Sequence, residues 1–313
     1  FYKYFNNELL SQKNDSTVLP PLNGRIAMST DSFVINPIFF EGGDIGKLSI
    51  CGTVNDICMS GAKPLYISVG FIIEEGLTIN ELEKIVQSMA KTANEAGVKI
   101  VTGDTKVVEK GSCDKIYINT TGIGIIEENN RYLSGDKVRA GDKVIVSGTL
   151  GDHGMCIMNK REDFGFKSTI KSDCCLLNEL ISDILSVSTN IRVLRDPTRG
   201  GLATTLNEII EHSNVSIEIQ EDKIPVKEEV AAMCDILGMD PLFIANEGKL
   251  VVIVDKNDAD NVLSIMKKNP VGENSVLLGE VINDGKNKLY LKTNIGGKRI
   301  INMPEGEILV RIC

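Results

Sequence analysis

Between Arg25 and Ile126 the chain alternates short β-branched runs with two longer stretches of helical period, and this alternation limits the fold class before any motif is considered. Arg25–Val34 alternates as a strand, with Asp31 towards its end. Gly42-Gly43-Asp44 then opens a helical run, Ile45–Met59. Asp44 suits the N-cap, because a short carboxylate can accept the first-turn N–H groups. Leu65–Ile73 reads as a strand, and Asn80–Ala96 as a helix ended by Gly97. Val98–Val108 and Lys115–Ile126 are two further strands. The order β-α-β-α-β-β predicts an α/β (α+β) domain whose sheet carries its helices on one face.

Turn signals at Ser134-Gly135-Asp136 and Ala140-Gly141-Asp142 place a boundary near Leu133–Gly141. The expected division is residues 1–135, 136–302 and a tail, 303–313. The second half is again α/β. Its expected strands are Lys143–Ser147, Val215–Ile219, Lys249–Val254, Ser275–Val281 and Lys288–Leu291. Its expected helices are His153–Arg161, Asp173–Val187, Thr198–His212, Lys227–Leu237 and Asp258–Lys267. The tail contains Pro304 and Gly306, offers little to bury, and is expected to extend flexibly from the core.

A net charge of −9 argues against nucleic acid as the main partner. It is compatible with ATP, because Mg²⁺ bridges carboxylates to phosphates. No apolar run has the length of a membrane helix and no secretory leader is visible, so a cytoplasmic setting is expected. The eight cysteines are 51, 58, 113, 156, 174, 175, 234 and 313. They form no CxxC pair, and only two histidines are present, which disfavours a structural zinc site. Most sit in apolar segments and read as buried, reduced thiols.

Four carboxylates fall at strand ends or loops beside Gly, Thr or Asn: Asp31, Asp56, Asp104 and Glu247. Such oxygens suit Mg²⁺, though each alone is more often a turn or cap residue. Asp56 stands apart because it lies inside an apolar helical stretch, where a carboxylate needs a partner. Lys106, two residues after Asp104, could stabilise a phosphoryl group in transfer. Neither a P-loop nor a GxGxxG turn occurs. The Gly-rich turn Gly148–Gly154, with Gly151 and His153, could present N–H groups to an anion, or be simply a tight turn. Arg195-Asp196-Pro197-Thr198-Arg199-Gly200-Gly201 precedes a helix, and its arginines could meet phosphate or an acidic partner. His212, late in a helix, reads as structural. Cys313 is the outlier among the thiols: it ends the sequence, and Arg311 nearby could favour its thiolate, although the residues alone read equally as an incidental exposed thiol.

These segments carry a resemblance. Thr30-Asp31-Ser32-Phe33, Gly42–Leu48, Cys51–Asp56, Thr102-Gly103-Asp104-Thr105-Lys106, Asn119–Gly122, Arg195–Leu202 and the Arg-Ile-Cys terminus resemble, in order, the aminoimidazole ribonucleotide synthetase superfamily. The terminal Cys selects within it the carbamoyl dehydratases of [NiFe]-hydrogenase maturation. The resemblance implies a two-domain subunit that dimerises through its N-terminal sheets and binds ATP at the inter-domain and inter-subunit cleft. It implies ATP contacts from Asp31, Asp44, Asn55, Asp56, Thr105, Asn119, Gly151 and His153, and Mg²⁺ on Asp31, Asp56 and Asp104. It implies that a carbamoyltransferase, HypF, loads a carboxamide onto Cys313. ATP would then activate the carboxamide oxygen, helped by Lys106, with Glu247 as base. The resulting cyano group would pass to iron on a HypC–HypD scaffold. Two departures stand out. Family members usually begin with a short Gly-rich segment that helps cover the nucleotide; this sequence starts at Phe1 without it, so either the segment was removed or ATP affinity is reduced. Val310 stands where the family often has Pro. The rival readings are a selenophosphate synthetase-like enzyme acting on a free small molecule, which would need a reactive Cys earlier than Cys51, and a non-catalytic thiol carrier.

Overall fold

The computed structural model describes residues 1–12, 16–127, 133, 135–162, 169–304, 306 and 311–313. The chain divides into two compact units: Phe1–Asn130 with Cys174–Asn178 and Arg311–Cys313, and Arg131–Asp173 with Glu179–Val310.

The first unit contains α1 (Tyr2–Phe5), β1 (Arg25–Phe33), β2 (Phe39–Phe40), β3 (Gly43–Asp44), α2 (Ile45–Met59), β4 (Lys63–Glu74), α3 (Ile79–Ala96), β5 (Lys99–Val108) and β6 (Ile116–Ile126). Its main sheet runs β1-β6-β4-β5. β6 is antiparallel to both neighbours, whereas β4 and β5 are parallel and joined through α3, the long crossover that parallel pairing requires. β2 and β3 form a small separate pair.

Local chemistry sets the helix ends. Asp44 Oδ1 accepts the N–H groups of Gly46 at 2.8 Å and Lys47 at 3.1 Å, so the expected cap of α2 is formed. Thr78 and Glu81 make a reciprocal capping box at the start of α3. Gly97, at φ 71°, turns the chain out of α3 in the left-handed conformation that glycine adopts without strain.

α2 is buried almost all round: Ile45, Leu48, Ile50, Cys51 and Val54 are inaccessible to solvent. It lies so close to β6 that a Cβ at Gly122 would stand 2.7 Å from Thr53 Cγ2, and one at Gly124 would stand 2.4 Å from Ile57 Cγ2 and 2.8 Å from the Lys63 carbonyl oxygen. The two glycines are where the sheet admits the helix.

The second unit contains β7 (Lys143–Val146), α4 (Asp152–Glu162), α5 (Asn178–Val187), β8 (Ile191–Arg195), α6 (Gly201–Ser213), β9 (Ser216–Gln220), α7 (Glu228–Leu237), β10 (Val251–Val254), α8 (Ala259–Lys268), β11 (Val276–Ile282), β12 (Leu289–Lys292) and β13 (Lys298–Ile301). Their sheet runs β13-β12-β9-β11-β7-β10-β8, antiparallel except for β12 beside β9. Leu202, Leu206 and Ile209 of α6 join Val144, Ile217, Val251 and Ile253 in its core.

Four differences from the sequence reading have physical causes. α5 begins at Asn178 rather than Asp173, because Asn55 takes the Cys175 carbonyl and the Leu177 N–H that a helix would use. α6 begins at Gly201 rather than Thr198, because Gly200, its N-cap, has a φ of 71°, outside the helical region. β8 and β13, five and four residues long, had no expected counterpart: each is short and mixes Lys or Arg with Ile. The end of the tail is packed, with Ile312 only 2% exposed. Leu309 and Val310 lie outside the described residues. Among the described residues no helix is long and apolar enough to cross a membrane.

The contact between α2 and β6 yields a stability prediction. Gly124→Ala must displace Ile57 or the Lys63 backbone, so the unfolding free energy from a denaturant titration is expected to fall by about 1–3 kcal/mol. A midpoint equal to that of the parent protein would show that the space is not closed.

Candidate functional site

In the first unit the candidate residues collect around β1, α2 and the strand ends. Thr53 Oγ1 donates to Asp31 Oδ2 at 3.0 Å, and Ser29 Oγ donates to Asp56 Oδ2 at 2.8 Å. These two bonds tie α2 to β1 and put Asp31 and Asp56 on the helix side of the sheet. Thr53 also meets Thr120 at 2.6 Å. Asn119, exposed on β6, donates to the Asp31 carbonyl at 2.9 Å and Ser32 Oγ at 3.0 Å.

Asp104 is elsewhere. The register places it in the row Ser32–Asn119–Gly70–Asp104, one residue out of step with Asp31 and three strands away. At the spacing of neighbouring strands the separation is about 14 Å. One ion therefore cannot be shared by Asp31, Asp56 and Asp104 of the same chain. Among the described residues no group of three or more His, Cys, Asp or Glu side chains could hold a metal. Asp104 instead pairs with Lys106 at 2.8 Å, both exposed, and this pairing with Lys106 holds its carboxyl below the usual range. Asp104 and Thr105 line a cavity of ≈330 Å³ with Phe1, Phe5, Phe71 and Ile100.

Two expected nucleotide ligands have structural work. Asp44 caps α2, and its burial raises its pKa above the ordinary carboxylate value. Asn55, 2% exposed, spends its amide on Cys175 and Leu177.

The thiols divide by accessibility. Cys51, Cys58, Cys113, Cys156, Cys174 and Cys234 are buried, and only Cys175 and Cys313 are half-buried. Burial pushes Cys58 up to about 12 and Cys234 up to about 11, which suppresses their thiolates. Cys313 is held through its backbone: its carbonyl accepts the Val34 N–H at 2.9 Å, just past the end of β1. Arg311 forms an ion pair with Asp114 and donates to the Val34 carbonyl at 3.4 Å. Val34, which holds the Cys313 carbonyl, lies three positions along the backbone from Asp31.

In the second unit, three loops that look separate in sequence meet at one buried side chain, Asn246. Its Oδ1 accepts the Gly151 N–H at 2.8 Å, and its Nδ2 donates to the carbonyls of Pro197 and Ile244, each at 3.0 Å. Gly151, at φ 81°, is in the Gly-rich turn, Pro197 in the Arg-Asp-Pro-Thr-Arg loop, and Asn246 beside Glu247. Arg195 of the second loop pairs with Glu208, the acidic-partner alternative. His153 is fully buried and bonds Ser172 Oγ through Nδ1 at 2.8 Å. Glu247 is 5% exposed. Its backbone N–H donates to Asp173 Oδ1 at 3.1 Å, the Gly248 N–H donates to Asp173 Oδ2 at 3.2 Å, and Lys249 Nζ lies 3.2 Å from the same Oδ2. Burial alone would raise the Asp173 pKa; Lys249, His153 and the Glu247 N–H outweigh it and hold it below the ordinary value. Asn246 and Asp173 were not singled out as functional in the sequence. Each works through bonds to residues distant in the chain, and local pattern carries no trace of such bonds.

Comparison with known proteins places this architecture. The model of the AIR synthase related protein N-terminal domain matches residues 13–126, and that of the C-terminal domain matches residues 139–292. The carbamoyl dehydratase HypE of Cupriavidus necator (strain H16) is 49% identical over 100% of this chain and 89% of its own length. A crystal structure of hydrogenase maturation protein HypE in complex with ATP superposes with a TM-score of 0.94 at 47% identity, covering 100% of this chain and 94% of that one. A crystal structure of a HypE–HypF complex gives 0.87 at 49% identity, covering 97% of each chain. With both domain models matched and such similarity along the whole chain, it belongs to the AIR synthase related family, in the group of the HypE carbamoyl dehydratases.

Proposed function

We propose that the chain is an ATP-dependent carbamoyl dehydratase that converts an S-carboxamide on Cys313 into an S-cyanide, the source of cyanide ligands for the iron of a [NiFe]-hydrogenase. The observation that carries this reading is the terminal thiol itself. Cys313 is half-exposed and held by its backbone beside the end of β1, whereas six of the seven other thiols are buried.

The chemistry follows from the carboxamide's poor leaving group. Its oxygen attacks the γ-phosphorus of ATP, ADP leaves, and the nitrogen gives up one proton to leave an O-phosphorylated imidate. A base then takes the second nitrogen proton, the C–O bond breaks, and phosphate departs with the bonding pair as the C≡N bond forms. Phosphorylation supplies the leaving group, and the oxygen lost from carbon ends in phosphate. In this reading Lys106 steadies the charge on the transferred phosphoryl group, and Glu247 is the base. Asp31, Asp56, Thr105 and Asn119 contact the nucleotide; Gly151 and His153 shape the second unit's part of the site. Mg²⁺ would arrive on the ATP phosphates, with any protein oxygens drawn from Asp31 and Asp56 on one chain or Asp104 on another.

The same reading gives the partners. A HypF-type carbamoyltransferase loads Cys313, and a HypC–HypD scaffold receives the cyano group, in the cytoplasm. The subunit is a homodimer: Ile26, Met28 and Ile72 are exposed on the first unit's sheet, an apolar surface suited to a second copy. The domain division proposed is 1–135, 136–302 and the tail 303–313.

Two variants test the roles. With Cys313 preloaded, Lys106→Ala is expected to slow ATP-dependent phosphate release by about 10²–10³-fold. Glu247→Gln is expected to slow loss of water from the carboxamide by about 10²–10⁴-fold. A Glu247→Gln protein that dehydrates at the parent rate would remove Glu247 from its role, and normal phosphate release in Lys106→Ala would do the same for the lysine.

A further inference from the structure

The group in the second unit whose chemistry remains unused is the buried cluster of Asp173, Lys249, His153 and Ser172. Asp173 is the informative member. Its two oxygens take the N–H groups of consecutive residues, Glu247 at 3.1 Å and Gly248 at 3.2 Å. This is a carboxylate gripping one peptide turn, and the turn carries the proposed base. Lys249, the next residue, closes on the same Asp173 oxygen at 3.2 Å, so three successive residues are bound to one side chain. The pair is nearly sealed from water, with side-chain exposures of 2% for Asp173 and 11% for Lys249. A buried carboxylate is tolerated where it is paired and accepts several hydrogen bonds, and both conditions hold here. From the other side Asn246 anchors the turn to Pro197, Ile244 and Gly151.

We propose that Asp173 is a positioning residue for the dehydration: by gripping the Glu247 and Gly248 N–H groups it fixes the direction of the Glu247 carboxylate, with Lys249 closing on the same carboxylate. This rests on the reading of Glu247 as the base. The groups facing Asp173 are Lys249, His153 and the Glu247 and Gly248 N–H groups. An amide at position 173 would leave one acceptor oxygen in place of two and remove the carboxylate charge that Lys249 Nζ faces at 3.2 Å. The Glu247 turn could then rotate while the nucleotide-contacting residues stay as they are.

The test uses full-length protein preloaded with carboxamide on Cys313. The rate of water loss is followed across ATP concentrations by mass spectrometry of the C-terminal peptide. Asp173→Asn is expected to lower the saturating rate about tenfold or more, with half-saturating ATP unchanged within about twofold, because misplacement of a catalytic group by an ångström costs rate rather than ground-state binding. If Asp173→Asn does not fold, Asp173→Asn/Lys249→Gln removes both charges of the pair and is expected to show the same split. Hydrogen exchange at the Glu247 and Gly248 amides should accelerate in whichever variant is used. A folded double variant with the parent's rate overturns the proposal. So does a rate loss matched by an equal rise in half-saturating ATP, which is general damage. Glu247→Gln measured alongside separates the two levels. If it dehydrates normally, the base assignment fails. If it is slow while the Asp173 variants are not, only the positioning role fails.

Discussion

Helix α2 approaches strand β6 more closely than side chains at positions 122 and 124 would permit, and the first unit's chemistry depends on that approach. The helix carries Thr53 and Asp56; the strand beside β6 carries Ser29 and Asp31. Two hydrogen bonds, Thr53 to Asp31 and Ser29 to Asp56, close the gap only because the glycines let the backbones draw together. The same helix holds the 174–178 segment through Asn55. One buried helix thus sets both carboxylates and an incoming loop. The cost is a stretch of sheet with no side chains to pack, offset by apolar α2 side chains in full contact.

Much of this architecture is legible in the sequence because it is local. The Asp44 cap, the Gly97 stop and the strand–helix alternation from Arg25 to Ile126 each rest on residues a few positions apart, where backbone preference and periodicity act. What was illegible is what connects distant residues. Asp173 meets Glu247 across 74 positions, and Asn246 meets Gly151 across 95. Neither bond changes the local pattern, so Asp173 read as the first residue of a helix that begins only at Asn178. The carboxylates show the same limit. Asp31 and Asp104 both sit in Thr-flanked segments that suggest metal ligands, yet strand order alone decides that they are three strands apart.

The eight thiols are sorted by burial, and only Cys175 and Cys313 are half-buried. Deep burial raises the pKa of Cys58 and Cys234, and a neutral thiol is a poor nucleophile. Cys313, like Cys175, is only half-buried. It is held at its backbone by the Val34 N–H, while Arg311 and Ile312 supply an ion pair and a buried side chain just before it.

The central claim is that Cys313 carries the group that is dehydrated. The most direct measurement is the mass of the C-terminal peptide after incubation with a HypF-type carbamoyltransferase and its substrates, compared with and without ATP and in Cys313→Ala. The account predicts a carboxamide adduct on Cys313 that loses the mass of one water only when ATP is present, and no adduct in the variant. An unmodified Cys313 alongside ATP turnover would contradict it and point to a synthetase acting on a free small molecule.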